Sequence, residues 1–203
     1  MVSNIVPVAP VDRSSGPARR LPRAERREQT LDAATRAFAR AGFEATGLDE
    51  VAAEAGISRV LLYRLFESKT DLYRSVLDRA CTRLSETVGG DDFTDESIPA
   101  LLRAASQDPD GFRLLFRYAA REPQFREYTD HLATASTEVA HKHLAAVIPD
   151  PQWASWAARL IPAATVEAVI AWLDAGEPDP EHAADRVAAA VHGIIAAAQA
   201  SGR

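Results

Sequence analysis

The chain has 203 residues, 47% of them apolar and 26% charged, so it can bury a core as one large or two small domains and is neither disordered nor fibrous. No uninterrupted apolar run reaches the roughly 18 to 20 residues of a membrane span, so no membrane partner is expected. Net charge is −6, but residues 1–80 carry 13 basic against 11 acidic residues and residues 81–203 carry 10 against 18, a split that points to a polyanion meeting the N-terminal part.

Residues 1–21 hold three prolines with Arg13, Arg19 and Arg20 and show no periodic pattern, which reads as a flexible basic tail. From Arg23 the pattern is helical. Leu31, Ala34, Phe38 and Ala41 recur at three- and four-residue steps, and Gly42 ends that helix in the left-handed conformation. Thr46-Gly47 caps a second helix with Leu48, Val51, Ala52 and Ala55 inward, which Gly56 closes. Ser58 caps a third helix holding Leu62 and Phe66, and Ser68 a fourth with Leu72, Val76 and Leu77 inward. The pattern lapses around Gly89-Gly90-Asp91-Asp92.

Beyond the lapse, helices are predicted over 96–106, 110–121, 124–147, 151–175 and 180–200. Pro149, Pro151, Pro178 and Pro180 mark the joints, and Pro162 should kink the fourth of these. No stretch alternates in the manner of a strand, so the fold class is all-α. Arginines near the N-terminus are followed by no apolar stretch, so no secretion signal is expected. The single cysteine, Cys81, reads as a small buried residue and fits a reducing, cytoplasmic setting.

Three short helices, the last two joined by Ala55-Gly56-Ile57-Ser58, form a helix-turn-helix pattern. In such a unit the second helix lies in the major groove of DNA. Leu62 and Phe66 fall on one side of it, and Arg59, Val60, Tyr63 and Arg64 largely on the other. Arginine can bond two acceptors on guanine, and tyrosine can donate to a phosphate oxygen. Lys69 stands at a helix start, where free backbone N–H groups favour phosphate.

The stretch "TLDAATRAFARAGFEATGLDEVAAEAGISRVLLYRLFESKTDLYRSVL" resembles the N-terminal domain of TetR-type transcriptional regulators. The likeness rests on the Ala-Phe pair before Gly42-Phe43, the Thr46 cap, Val51-Ala52-x-x-Ala55-Gly56-Ile57-Ser58, Leu62-Tyr63-x-x-Phe66 and Lys69-x-x-Leu72. The C-terminal half resembles the family only in being helical and in its "WLDAGEPDP" joint.

The resemblance implies a basic tail over 1–21, a DNA-binding domain over 22–68, and a C-terminal ligand-binding and dimerisation domain over 69–203, with 69–88 as the connecting helix. It further implies a homodimer on a palindromic operator, acting as a repressor that an unknown small-molecule effector controls. Carried over by position, Thr46, Ser58, Tyr63 and Lys69 meet phosphates, while Arg59 and Val60 face base edges with Arg64 at their margin. The sequence departs from the family pattern at Gly47, Val60, Leu61 and Leu65; Val60 and Leu61 offer an apolar surface to thymine methyl groups.

The aromatics Phe112, Phe116, Tyr128 and Trp153, with His131, are the candidate lining of an effector pocket, although spacing alone does not separate lining from core. Glu127, His131, Glu138 and His141 fall along one predicted helix and suggest the alternative of a helical metal- or ligand-binding enzyme. Glu138-x-x-His141 has a di-iron spacing, but no second copy exists on another helix, so no metal, cofactor or catalytic residue is expected. Leu160, Ala164, Ala168, Ala171 and Ala175, and likewise Val187, Val191, Ile194 and Ala198, form stripes broad enough for a partner chain, which places the dimer contact on 151–175 and 180–200.

Overall fold

A computed structural model describes residues 22–89 and 92–200, so the basic tail expected over 1–21 lies outside the described residues. Every regular element among the described residues is helical. The first four are α1 (Arg23–Ala45), α2 (Leu48–Glu54), α3 (Arg59–Leu65) and α4 (Lys69–Val88). Leu31, Ala34 and Phe38 of α1 are buried as the periodicity predicts, but Ala41 is exposed. The reason is Gly42, whose φ of 79° and ψ of 171° break the helix, so that one further turn follows and carries Phe43 inward in place of Ala41.

Thr46 does not cap α2. The cap position is Gly47, with no side-chain hydrogen bond, and Thr46 is 1% exposed with its hydroxyl donating back to the carbonyl of Gly42 at 2.7 Å. The break at Gly42 and this bond together hold the turn between α1 and α2. Ser68 does cap α4: its oxygen accepts from the Asp71 N–H at 3.0 Å, and the Asp71 carboxylate accepts from the Glu67 N–H at 2.9 Å.

Leu72, Tyr73, Val76 and Leu77 of α4 are buried against α1, in one cluster with Leu31, Phe38, Val51, Leu62 and Phe66. Leu114, Leu115, Ala119 and Phe125 complete this cluster from the other side. Arg79 fastens the two long helices: its guanidinium donates to Asp32 at 2.7 Å and to the Thr35 hydroxyl at 2.9 Å. Cys81 is half-buried beside the same cluster, and burial, with the Asp78 charge, pushes its thiol up to about 11.

Next come α5 (Ser97–Gln107) and α6 (Pro109–Arg113), the latter capped by Asp108, which accepts from the Gly111 N–H at 3.0 Å. The helix predicted over 110–121 is not uniform: a π-helical stretch (Leu114–Tyr118) and a 3₁₀ turn (Ala119–Arg121) follow α6. Then come α7 (Arg126–Leu144), α8 (Pro151–Asp174) and α9 (Ala183–Gln199). α7 is shorter than predicted because the chain turns at Phe125 before it and folds Ile148 back into the core after it. α8 begins on Pro151 with Asp150 accepting from the N–H groups of Gln152 and Trp153, and it continues through Pro162.

By length and composition α8 is apolar enough to cross a membrane, although Arg159 and Glu167 interrupt its apolar run. Its alanines, with Leu160, Ile161, Val166, Val169 and Ile170, raise its mean hydropathy. Its inner face of Ala154, Ala157, Ala158 and Ile161 packs with Ala140 and Leu144 of α7 and Ala198 of α9. Its C-terminal half packs Val169, Ile170 and Leu173 with Leu102 of α5 and Phe112 of α6.

Tyr73 is fully buried, and its hydroxyl has no hydrogen-bond partner among the described residues. Burial, aided by the Glu122 charge, pushes its pKa up, so the phenol stays neutral. A buried hydroxyl without a partner costs on the order of 1–3 kcal/mol. Tyr73→Phe should therefore stabilise the protein by about 1 kcal/mol. Urea denaturation of the two proteins checks this, and a lower midpoint for the variant would refute the reading of the hydroxyl as unsatisfied.

Candidate nucleic-acid interface

α2 and α3 are seven residues each, too short to persist alone, so packing must hold them. Val51 and Ala52 of α2 meet Leu62 of α3 and the following Phe66 in the buried cluster. Gly56 turns the chain with a φ of 65°, and the Ile57 N–H donates to the Ala52 carbonyl at 2.9 Å. α2 is tied to α1 by Arg36–Glu54, Arg40–Glu50 and Arg40–Glu54 pairs, each at 2.8 Å. The bond from Arg40 holds the Glu54 carboxyl below its ordinary range.

Ser58 caps α3, its oxygen accepting from the Leu61 N–H at 3.3 Å while its own O–H stays exposed. Arg59, Val60, Tyr63 and Arg64 lie on the exposed face; Val60 is 64% and Tyr63 47% exposed. Leu61 is half-buried, and Leu65 packs against the core beneath α3. The apolar residue at 65 thus has a structural job where the family pattern suggested a polar contact.

Two expected phosphate contacts stand differently from the sequence reading. Thr46 is buried, with both its hydroxyl and its N–H committed to the Gly42 carbonyl, so it has no donor to offer a phosphate. Lys69 is half-buried: its ammonium donates to the Glu44 carbonyl at 3.0 Å and lies 4.6 Å from the centre of the Phe43 ring. An ammonium has three donors, so others remain for an outside acceptor.

Sequence reading overlooked Asp49. Its carboxylate accepts from the Arg59 guanidinium at 3.0 Å, and the same guanidinium lies 5.7 Å from the Tyr63 ring centre. The Tyr63 side chain first, and then the Asp49 charge, raise the Arg59 pKa further above its ordinary value. Asp49 sits on the preceding helix, and helix periodicity carries no signal for a contact across the turn. Arg23 of α1 likewise reaches the Arg64 carbonyl at 3.5 Å.

The five candidate pocket residues do not converge. Phe112 is buried against half-buried Phe116, with ring centres 4.7 Å apart. Tyr128 donates to Asp78 at 2.9 Å. His131 is exposed, and Trp153 is 48% exposed, stacked edge-on against Trp156. Phe112 borders a cavity of about 10 Å³, shared with Ala80, Leu84, Ala104, Asp108 and Leu115. A larger open groove of about 1030 Å³ runs between α7 and α8 past His141, Ser155, Trp156 and Arg159.

Glu127, His131, Glu138 and His141 are all exposed on α7. Among the described residues no three His, Cys, Asp or Glu side chains come together to hold a metal.

Residues 31–76 match the family described as bacterial regulatory proteins, tetR family. The chain is 41% identical over 105 residues to the HTH-type transcriptional activator FasR of Mycolicibacterium smegmatis, covering 48% of each chain. It is 32% identical over 126 residues to the HTH-type transcriptional repressor SCO4008 of Streptomyces coelicolor, covering 59% of this chain and 66% of that one. The match thus spans about half to two thirds of these relatives' own length. Among solved structures, a TetR-like transcriptional regulator from Rhodococcus sp. RHA1 superposes with a TM-score of 0.76 at 25% identity, covering 87% of this chain and 99% of that one. The sequence match lies on the helix-turn-helix and the structural match extends over most of the remaining helices; the chain belongs to the TetR family of transcriptional regulators.

Proposed function

We propose that the protein is a ligand-responsive repressor that binds a palindromic operator as a homodimer. The observation that carries the DNA-reading part is the outward face of α3, where Arg59, Val60, Tyr63 and Arg64 stand exposed on a helix whose other side is buried. Ser58, Tyr63 and Lys69 contact phosphates, which fix orientation, while Arg59 and Val60 read base edges with Arg64 and Leu61 beside them. Residues 22–68 form the reading unit, 69–88 the connecting helix, and the remainder of 69–203 the effector and dimer unit.

The exposed side of α8 supports the dimer. Trp153, Trp156 and Leu160 are 48%, 41% and 36% exposed in one stripe, and α9 presents Ala189, Gly193, Ala196 and Ala197 outward. Large apolar rings exposed on one helix and small residues exposed on the other suit close approach of a second copy. The sequence stripes are sorted by this: Val187 and Ala198 of α9 are buried within the subunit, whereas Leu160 and Ala171 of α8 stay outside.

An effector entering beside Phe112 has about 10 Å³ in this conformation, so it must part α4, α5 and α6. α4 also carries the core of the DNA-reading unit, so that movement would displace α3. Control is then a population shift, with the effector favouring the parted state and operator DNA the other. Of two relatives, one is named an activator and the other a repressor, and the repressor reading is the one proposed.

Tyr63→Phe and Lys69→Ala should weaken binding to specific and random duplexes alike, by about three- to tenfold, and Lys69→Ala should also lower the salt slope by about 1. Arg59→Ala should instead reduce discrimination at one base pair per half-site. Anisotropy titrations on both duplex types measure this, and unchanged affinity in all three variants would overturn the reading face. Leu160→Arg should give a monomer by sedimentation and lower operator affinity by about tenfold or more, because the second half-site no longer adds to the first. A dimeric Leu160→Arg protein would refute the assigned contact.

A further inference from the structure

We propose that Asp49 is a positioning residue for base reading: it fixes where the Arg59 guanidinium stands on the outward face of α3 and keeps it from serving as a general phosphate binder. The proposal rests on the reading of α3 as the DNA-contacting helix.

Asp49 lies in the first turn of α2 and Arg59 opens α3, so their bond spans the turn between the two helices. Side chains of Asp49 and Arg59 are 71% and 58% exposed. An ion pair so open to water contributes little to stability. Its consequence therefore lies at the surface itself. A carboxylate on a face that meets a polyanion is repelled by every duplex, whatever its sequence, unless a cation covers it.

Arginine is a long, flexible side chain that unrestrained reaches phosphates as readily as bases. Here it is restrained twice, by Asp49 on one terminal nitrogen and by the face of the Tyr63 ring. A guanidinium has five N–H donors in a rigid fork, so one bond to Asp49 leaves further donors for an outside acceptor. A base edge offering two acceptors at that place can bind the fork while Asp49 keeps its own bond. A duplex with the wrong base leaves Arg59 on Asp49 and gains nothing from it. Moving Arg59 away to a phosphate would uncover the carboxylate beside the DNA. Both effects lower binding to non-cognate sequences relative to the cognate one.

A simpler role for Asp49, shared by its neighbour Glu50, is to favour the N-terminus of α2 by its charge. That role would act on every duplex equally, which gives the test its discriminating readout.

The test uses the full chain and a duplex that the wild-type protein selects from a random pool, together with all single-base variants of one half-site. Wild type, Asp49→Asn, Asp49→Ala, Asp49→Glu, Arg59→Ala and the Asp49→Asn/Arg59→Ala double variant are titrated in parallel, and their thermal midpoints are compared. Asp49→Asn and Asp49→Ala should bind random duplex about three- to tenfold more tightly and make the salt slope steeper by about 1. They should lose about tenfold of the discrimination at the base pair that Arg59→Ala also blurs, and leave the other pairs as in wild type. The double variant should discriminate no worse there than Arg59→Ala alone, and Asp49→Glu should restore part of the preference. Equal changes across all sequences, an unchanged preference at the Arg59 base pair, or additive losses in the double variant would each overturn the proposal. Failure of the wild-type protein to select any duplex would instead bring down the DNA-reading assignment, and this proposal with it.

Discussion

The aromatic cluster around Tyr73 is the contact on which the rest of the molecule depends. Its ring lies 4.8 Å from Phe38 and 5.1 Å from Phe43 of α1, and 4.5 Å from Phe125 just before α7. Phe43 and Phe125 close the group at 5.0 Å. Edge-on and tilted rings at such distances are favourable beyond the area they bury. Three parts of the chain thereby share one reference point: the helix-turn-helix through α1, the long helix α4, and the start of α7. Phe43 reaches the cluster only because Gly42 breaks α1, so one glycine conformation sets how the helix-turn-helix sits on the remainder. Lys69 on the outer side of the Phe43 ring continues the same stack to the surface.

Charged pairs run outward from this core and tie the same elements together. Arg79 of α4 holds Asp32 of α1, and Arg83, one turn further, holds Asp108, which in turn caps α6. Arg113 and Arg117 both reach Asp174 at the end of α8, at 3.0 and 2.8 Å, and hold its carboxyl below the usual range. Apart from Arg79, whose side chain is only 11% exposed, these partly exposed pairs add little stability singly. Their value lies in fixing geometry: α4 is bonded to α1 on one side and to the α6 cap on the other. A displacement of α6 has α4 as its direct mechanical neighbour, and α4 has the helix-turn-helix as its own.

The all-α class, the order of the helices and the helix-turn-helix were legible in the sequence, since each rests on local chemistry. Ser58 and Ser68 cap where a hydroxyl precedes an apolar period, and Gly56 takes a left-handed turn that other residues rarely adopt. The inward positions Leu62, Leu72, Val76 and Leu77 followed from the helix period because burial of one face is all that period encodes. The same logic placed Arg59, Val60, Tyr63 and Arg64 on the outer face.

What depends on side chains meeting across helices was decided only by the tertiary structure. Thr46 reads as a cap but is buried, because the break at Gly42 leaves a carbonyl that its hydroxyl serves. The aromatics and His131 looked alike as pocket candidates, yet Phe112 is core, His131 is solvated and Trp153 lies on an outer helix face. Hydrophobicity is the same for a ring in a core, in a pocket or at an interface, so one chain's pattern does not sort them. Asp49 beside Arg59 is the same case in polar form: the two are ten residues apart on different helices, and only the turn at Gly56 brings them together. The sequence by itself determined which faces are buried, because a helix period records one neighbour's side. Which partner each remaining side chain finds was left to the packing of α1 against α4, because that choice is made by distance in space rather than along the chain.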